Sequence, residues 1–208
     1  MNLVVDHLIY AVPELSAGVA AIEKLLGVRA AIGGKHVGLG THNALLALGP
    51  KTYLEIIAPD PDQDDYRQPM IFGIDDLAHP HLVTWVARVD DLNAIAAQDL
   101  GQGQKFGEVL SGSRKNPDGA TLTWRFTDPF TVIADGIVPF LIDWGESPHP
   151  AKSAPSGAQL VQLRAEHPDP DDVRQLIDKL GLDLPVSQGP QPALAAVIDC
   201  PNGRVELR

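Results

Sequence analysis

Apolar and polar positions along the chain repeat one order, a strand, a helix and then further strands. The segment Asp6–Val12 (DHLIYAV) is apolar and rich in β-forming residues, which predicts a strand. Leu15, Val19, Ile22 and Leu26 then recur at helical spacing, with Pro13 and Glu14 at the junction and Gly27 where a left-handed cap residue would stand. Two strands are predicted over Lys35–Leu48 and Thr52–Pro59, turned by Gly49-Pro50. The order returns as a strand over His81–Val89, a helix over Asp90–Gly101, and strands over Lys105–Ser111, Thr121–Thr127 and Val138–Trp144. It returns again as Gln159–Ala165, a helix over Asp169–Gly181, and strands over Ala193–Asp199 and Gly203–Arg208.

The spacing supports an internal repeat. A shift of 77 residues carries Asp6 to Val83 and Val83 to Leu160. A shift of 154 aligns Val19 with Val173, Ile22 with Leu176, Leu26 with Leu180 and Gly27 with Gly181, and the closing strands align too, as Leu54-Glu55-Ile56 with Val205-Glu206-Leu207. The expected organisation is a module over 1–60, a second over 61–145, a linker rich in Pro, Ser and Gly over 146–157, and a third, additional module over 158–208.

Composition narrows the partners. The formal charge of −11 disfavours nucleic acid and anionic membranes in the far field, while leaving room for a local basic pocket. No apolar run is long enough to span a bilayer, and the start MNLVVDHLIYAV lacks a basic segment ahead of a long apolar core, so a cytoplasmic chain is expected. The single cysteine, Cys200, excludes an intrachain disulfide and reads as a structural thiol.

Strand alternation places His7, Ile9 and Ala11 on one face, with Asp6 and Leu8 on the other, and groups Tyr53, Glu55 and Ile57. A glutamate in so apolar a strand is costly to bury unless it is paired or bound to a metal, which singles out Glu55. His36 sits among Gly33, Gly34, Gly38 and Gly40, where backbone could approach a ligand closely. Asn43, seven residues on, falls on the opposite face if the strand is unbroken. Arg114, Lys115 and Arg125 with Trp124 flank the turn Asn116–Gly119, and either Arg114 or Arg125 could hold an anion. Trp85 and Trp144 read as core residues or as apolar walls of a cleft. The histidines at 79, 81 and 149 lie in turns and receive no role.

The segments DHLIYAVPEL, GGKHVGLGTHN (33–43), YLEIIAP (53–59), SRKNPDGATLTWRF (113–126) and VPFLIDWG (138–145) resemble the vicinal-oxygen-chelate superfamily and, within it, the glyoxalase-like domain family. That resemblance implies an α+β fold in which repeated βαβββ modules form an incomplete barrel around a cleft. It implies a small-molecule substrate and lyase, isomerase or dioxygenase chemistry, and modules that often pair between chains as homodimers. It also implies a divalent metal (Zn, Mn, Fe or Ni) held by a histidine of a first strand and a glutamate of a last strand, here His7 and Glu55. Glu55 or His36 would then move a proton, and Asn43, Trp85, Arg114, Trp124, Arg125 and Trp144 would contact substrate. The second module departs from the pattern, because Thr84 stands 77 residues after His7 and Asp143 is the only carboxylate in PFLIDW. Either His36 or Asp143 completes a smaller ligand set, or the cleft is a metal-free ligand-binding or resistance-type pocket.

Overall fold

The computed structural model describes residues 4–66, 68–101, 103–115 and 121–208. The first unit runs β1 (Val4–Ala11), α1 (Leu15–Leu26), β2 (Ala31–His36), β3 (Thr41–Gly49) and β4 (Thr52–Pro59). The second runs β5 (His81–Arg88), α2 (Leu92–Ala96), β6 (Val109–Lys115), β7 (Thr121–Thr127) and β8 (Phe140–Asp143). Both fold the same way: the last strand lies parallel beside the first, and the two between form an antiparallel meander. β1 and β5 pair antiparallel, giving one sheet in the order β2-β3-β4-β1-β5-β8-β7-β6. The sheet curls into a nearly closed barrel. Its edge strands β2 and β6 approach so closely that a Cβ on Gly34 would lie 2.8 Å from the Arg114 side chain.

Alternation decides what faces the barrel. On β4, Leu54, Ile56 and Ala58 pack outward against Leu15, Val19, Ile22 and Leu26 of α1, while Tyr53 and Ile57 join an inner cluster with Ile9, Val86 and Ile142. Glu55 points inward with them. α1 ends as expected, with Gly27 at φ 73°. α2 is much shorter than the Asp90–Gly101 helix the sequence predicts. Leu92 and Ile95 are buried, but Asp99 stands where the apolar stripe would continue, and its carboxylate instead accepts from Gly101 N.

The predicted strand Lys35–Leu48 is two strands. Gly38 and Gly40, at φ 80° and 70°, turn the chain between β2 and β3, a conformation that side chains with a Cβ rarely adopt.

The third unit runs β9 (Gln159–His167), α3 (Pro170–Lys179), β10 (Val186–Gln188), β11 (Ala193–Cys200) and β12 (Gly203–Leu207), adding the short β10 to the strand, helix and two strands expected. Its pairing differs. The sheet order is β10-β9-β11-β12, so the closing strand lies at an edge rather than beside the first strand. Periodicity specifies which face of a strand is buried, not which strand is its neighbour, and the same order serves both topologies. Glu206, aligned with Glu55 by sequence, is accordingly exposed and engages Arg164 and Arg208. The apolar side of this unit, with Leu163, Ile177, Leu194 and Ile198, is continuous with the core around α1.

The segment 146–157 is a strap packed over the first unit. Its short turn Pro150–Lys152 buries Ala151, and Ala47 N donates to Pro155 O at 2.8 Å. Among the described residues, no helix is long and apolar enough to cross a membrane.

Candidate functional site

Glu55 lies between Ile9 of β1 and Leu45 of β3, is 6% exposed, and looks into the barrel. Its Oε2 is 3.4 Å from His7 Nε2. Its Oε1 accepts from Asn43 Nδ2 at 2.6 Å and lies 3.5 Å from His36 Nε2. The Asn43 amide is fixed at both ends, because its Oδ1 accepts from Gly34 N at 2.9 Å and its Nδ2 also reaches His36 Nε2 at 3.2 Å. The same contact assigns the His36 tautomer: Nε2 accepts, and Nδ1 carries the proton toward Thr41 Oγ1 at 2.9 Å. Burial pushes the His36 pKa down, with the charge of Arg114 adding to the effect, so its ring is neutral at pH 7. His36 and Asn43 therefore share the cleft instead of facing apart, because the turn places them on neighbouring strands.

Asp6 is the residue that sequence reasoning missed. The pairing of β1 with β5 shifts between Val5 and His7, leaving Asp6 in a bulge. A bulge re-aims a side chain that strict alternation would send to the far face. Asp6 is fully buried, and its carboxylate accepts from four side chains. His7 Nδ1 is at 2.8 Å, His149 Nε2 at 3.0 Å, Arg88 Nη1 at 3.1 Å and Trp144 Nε1 at 3.2 Å. Burial alone would raise its pKa, but hydrogen bonds from His149 and His7 and their charges hold it well below the usual carboxylate range. An ionised Asp6 fixes the His7 proton on Nδ1, which turns Nε2 toward Glu55. Tyr53 stacks on His7 at 4.4 Å and 14°, locking the ring from the side. Burial, and next the charges of Glu55 and Asp6, hold the Tyr53 phenol neutral. The sequence signal available for Asp6 was its adjacency to His7; nothing in the sequence marked His149.

The cleft around this cluster has a volume of about 80 Å³ and is walled by Trp124, Phe126, Phe140, Ile142 and Trp144, with Arg114 at its edge. Phe72 and Phe140, stacked at 5.9 Å, divide it from a larger cavity of about 440 Å³ that reaches Thr84, Phe130 and Leu194. Of the candidate residues, His7, His36, Asn43, Glu55, Arg114, Trp124 and Trp144 come together. Trp85 does not. It is 1% exposed in the core outside the barrel, where its Nε1 donates to Ile137 O at 2.8 Å. Arg125 alternates away from Trp124 and Phe126 and donates to Asn93 at 2.6 Å on the outer surface. Asp143 also faces outward, accepting from Gly145 N.

The register tests the metal set implied by resemblance. His7 and Ile9 of β1 oppose Val86 and Thr84 of β5, so the twofold relating the units exchanges His7 with Thr84 and Ile9 with Val86. Glu55 pairs with Ile9 and Phe140 pairs with Val86, so the counterpart of Glu55 is Phe140. Thr84 spends its hydroxyl on Gly136 O at 2.8 Å. The second unit thus offers no nitrogen or carboxylate donor at either position. Among the described residues, no group of three or more His, Cys, Asp or Glu is placed to hold a metal ion. The donor set does not fit a four-ligand divalent site.

Comparison with known proteins gives one family match and several structural neighbours. The glyoxalase-like domain family matches residues 5–181. A hypothetical protein from Staphylococcus aureus superimposes over 99% of this chain and 84% of its own, with a TM-score of 0.66 and 15% identity. Methylmalonyl-CoA epimerase from Mycobacterium tuberculosis aligns over 68% of this chain and 87% of its own (TM-score 0.45, 21% identity). A variant of the Streptomyces coelicolor epimerase, in complex with 2-nitronate-propionyl-CoA, aligns over 72% and 100% (TM-score 0.47, 18% identity). No curated protein matches the sequence. With the family match spanning most of the chain and the paired-module barrel that frames its cleft, this protein belongs to the glyoxalase-like domain family, on the vicinal-oxygen-chelate fold.

Proposed function

We propose that this chain is a small-molecule enzyme, an isomerase or lyase, that moves a proton at Glu55. The observation that carries the reading is the chain Asp6–His7–Glu55. A buried ionised carboxylate orients an imidazole, and the imidazole presents Nε2 to a second carboxylate at 3.4 Å. This is the logic of an oriented acid–base pair, in which a third group fixes the tautomer of the histidine. Asn43 holds Oε1, leaving Oε2 as the oxygen that faces both His7 and the cleft. In the reaction, Oε2 takes a proton from a carbon beside a carbonyl, the electron pair passes to the carbonyl oxygen as an enolate, and the proton returns from Glu55 or by way of His7. His36, neutral and engaged by Asn43, acts as a positioning residue.

A metal-dependent version would have His7 and Glu55 as its protein donors, but the second unit does not complete the set, and no step here runs through an ion. The replacement of donors by Thr84 and Phe140 favours a second reading, a metal-free protein that binds a small ligand without turnover.

Proton nuclear magnetic resonance in D₂O separates the two. Wild-type protein is incubated with 2-oxo acids, hydroxyketones and acyl thioesters, and exchange of the C–H beside the carbonyl is followed. Enzyme-dependent exchange is expected for at least one compound, and Glu55→Gln is expected to slow it by about 10²–10⁴. Absence of exchange across the panel, with ligand binding retained, transfers the protein to the binding reading.

A further inference from the structure

We infer that the ligand of this cleft is a compact monocarboxylate, clamped through its carboxylate by Arg114. The inference deepens the proposed function and rests on the same cleft being the ligand site. Among the described residues, Arg114 is the one permanent cation lining it. Arg29, Arg88, Arg164, Arg174 and Arg204 each hold a carboxylate of this chain. Arg114 holds none: its Nε is buried and has no hydrogen-bond partner among the described residues. Leaving a buried guanidinium N–H unpaired is costly, and in a chain with 27 acidic side chains against 16 basic ones a partner would be easy to supply. Because Arg114 lines the cleft, the anion that its guanidinium would pair with arrives with the ligand.

The bed under Arg114 is built for it. Its side chain crosses from β6 onto β2, where a Cβ at Gly34 would come 2.8 Å from Cδ and one at Gly33 would come 3.1 Å from Nη1. Gly34 thus makes room for the Arg114 side chain, and Gly33 chiefly for the Asn43 amide, where Arg114 lines the cleft with His36, Asn43 and Trp124.

The charge of the ligand follows from what surrounds the site. One guanidinium matches one carboxylate, in the bidentate geometry both groups favour. A phosphate dianion would need more. Among the described residues no second permanent cation lines the cleft, the nearby Gly34 N–H is already taken by Asn43, and Glu55 repels added negative charge. The body of the ligand follows from the walls. Trp124 and Trp144 lie 5.5 Å apart at 50°, with Phe126 and Phe140 adjoining, and the cleft of about 80 Å³ admits a short branched acyl group or a single ring.

The test is calorimetric titration of the intact protein with propionate, isobutyrate, benzoate and phenylacetate, each beside its primary amide, and with phenylphosphonate as a dianion. At least one carboxylate is expected to bind about tenfold or more tighter than its amide. Arg114→Gln should erase that preference and Arg114→Lys should keep part of it, with circular dichroism confirming that both variants fold. The inference is overturned if no carboxylate binds, if each amide binds as well as its acid, if the preference survives Arg114→Gln, or if phenylphosphonate binds tighter than the carboxylates. Glu55→Gln should retain carboxylate binding. Intact carboxylate selectivity without proton exchange would therefore sink the catalytic reading alone, and exchange without selectivity would sink only this one.

Discussion

Asp6 and Glu55 are buried carboxylates in neighbouring strands with opposite tasks. Asp6 is saturated by His7, His149, Arg88 and Trp144, and cannot act on anything else. Glu55 keeps one oxygen turned to the cleft. Asp6→Asn removes the charge that Arg88 and His149 answer, and is expected to cost about 3–5 kcal/mol, measured by urea denaturation at pH 7. Because the folded-state pKa of Asp6 lies below its ordinary 3.8, its stabilisation is complete above that pH and is lost as pH falls further. His36 acts in a higher window. Its folded-state pKa lies below 6.5, so its contribution is complete above pH 6.5 and declines as the pH drops from there. Urea midpoints between pH 7.5 and 5.5 should fall less steeply in His36→Gln than in wild type. The shared faces of His7 and Glu55 and the burial cost of Glu55 were legible in the sequence because alternation and burial cost both speak through residue type, while their pairing came from the family resemblance. Asp6 was not, because a bulge is a property of two strands together and leaves no mark on one.

Elements followed their local chemistry where one stripe of residues decided them. α1 is the clearest case, with four apolar positions, a Glu14 cap that accepts from Ser16 N and Ala17 N, and Gly27 at its end. The α2 region carried apolar residues too, but too few in register to extend a helix. Interactions between distant elements stayed out of reach of the sequence. The last carbonyls of α1, at Lys24 and Leu25, accept from Asn202 Nδ2 at 3.0 and 3.1 Å, a cap supplied by the turn between β11 and β12. Asn202→Ala should cost about 1 kcal/mol and lower the melting temperature by about 2–4 °C, read by calorimetry. The β2–β3 turn shows the same limit from the other side. Its glycines were visible in the sequence, but without knowing that they turn the chain, the distance from His36 to Asn43 was counted along one strand.

The three units make one molecule because the outer core runs through all of them. The sequence showed the repeated order, and the family resemblance implied the barrel; the different pairing of the last unit depended on which edges were free, which the repeat does not encode. A chain ended at residue 157 would expose the face that meets Leu163, Leu194 and Ile198. It is expected to unfold at lower urea or to associate, as light scattering and denaturation would reveal. The strap carries a subtler consequence. His149 reaches Asp6 across 143 positions of chain, and Trp144 reaches it across 138. During synthesis, the carboxylate that orients His7 therefore stays without these partners until the second unit and the strap have left the ribosome. The proposed acid–base pair is thus armed late, and a nick between residues 145 and 148 would disarm it while His7 and Glu55 stayed in place.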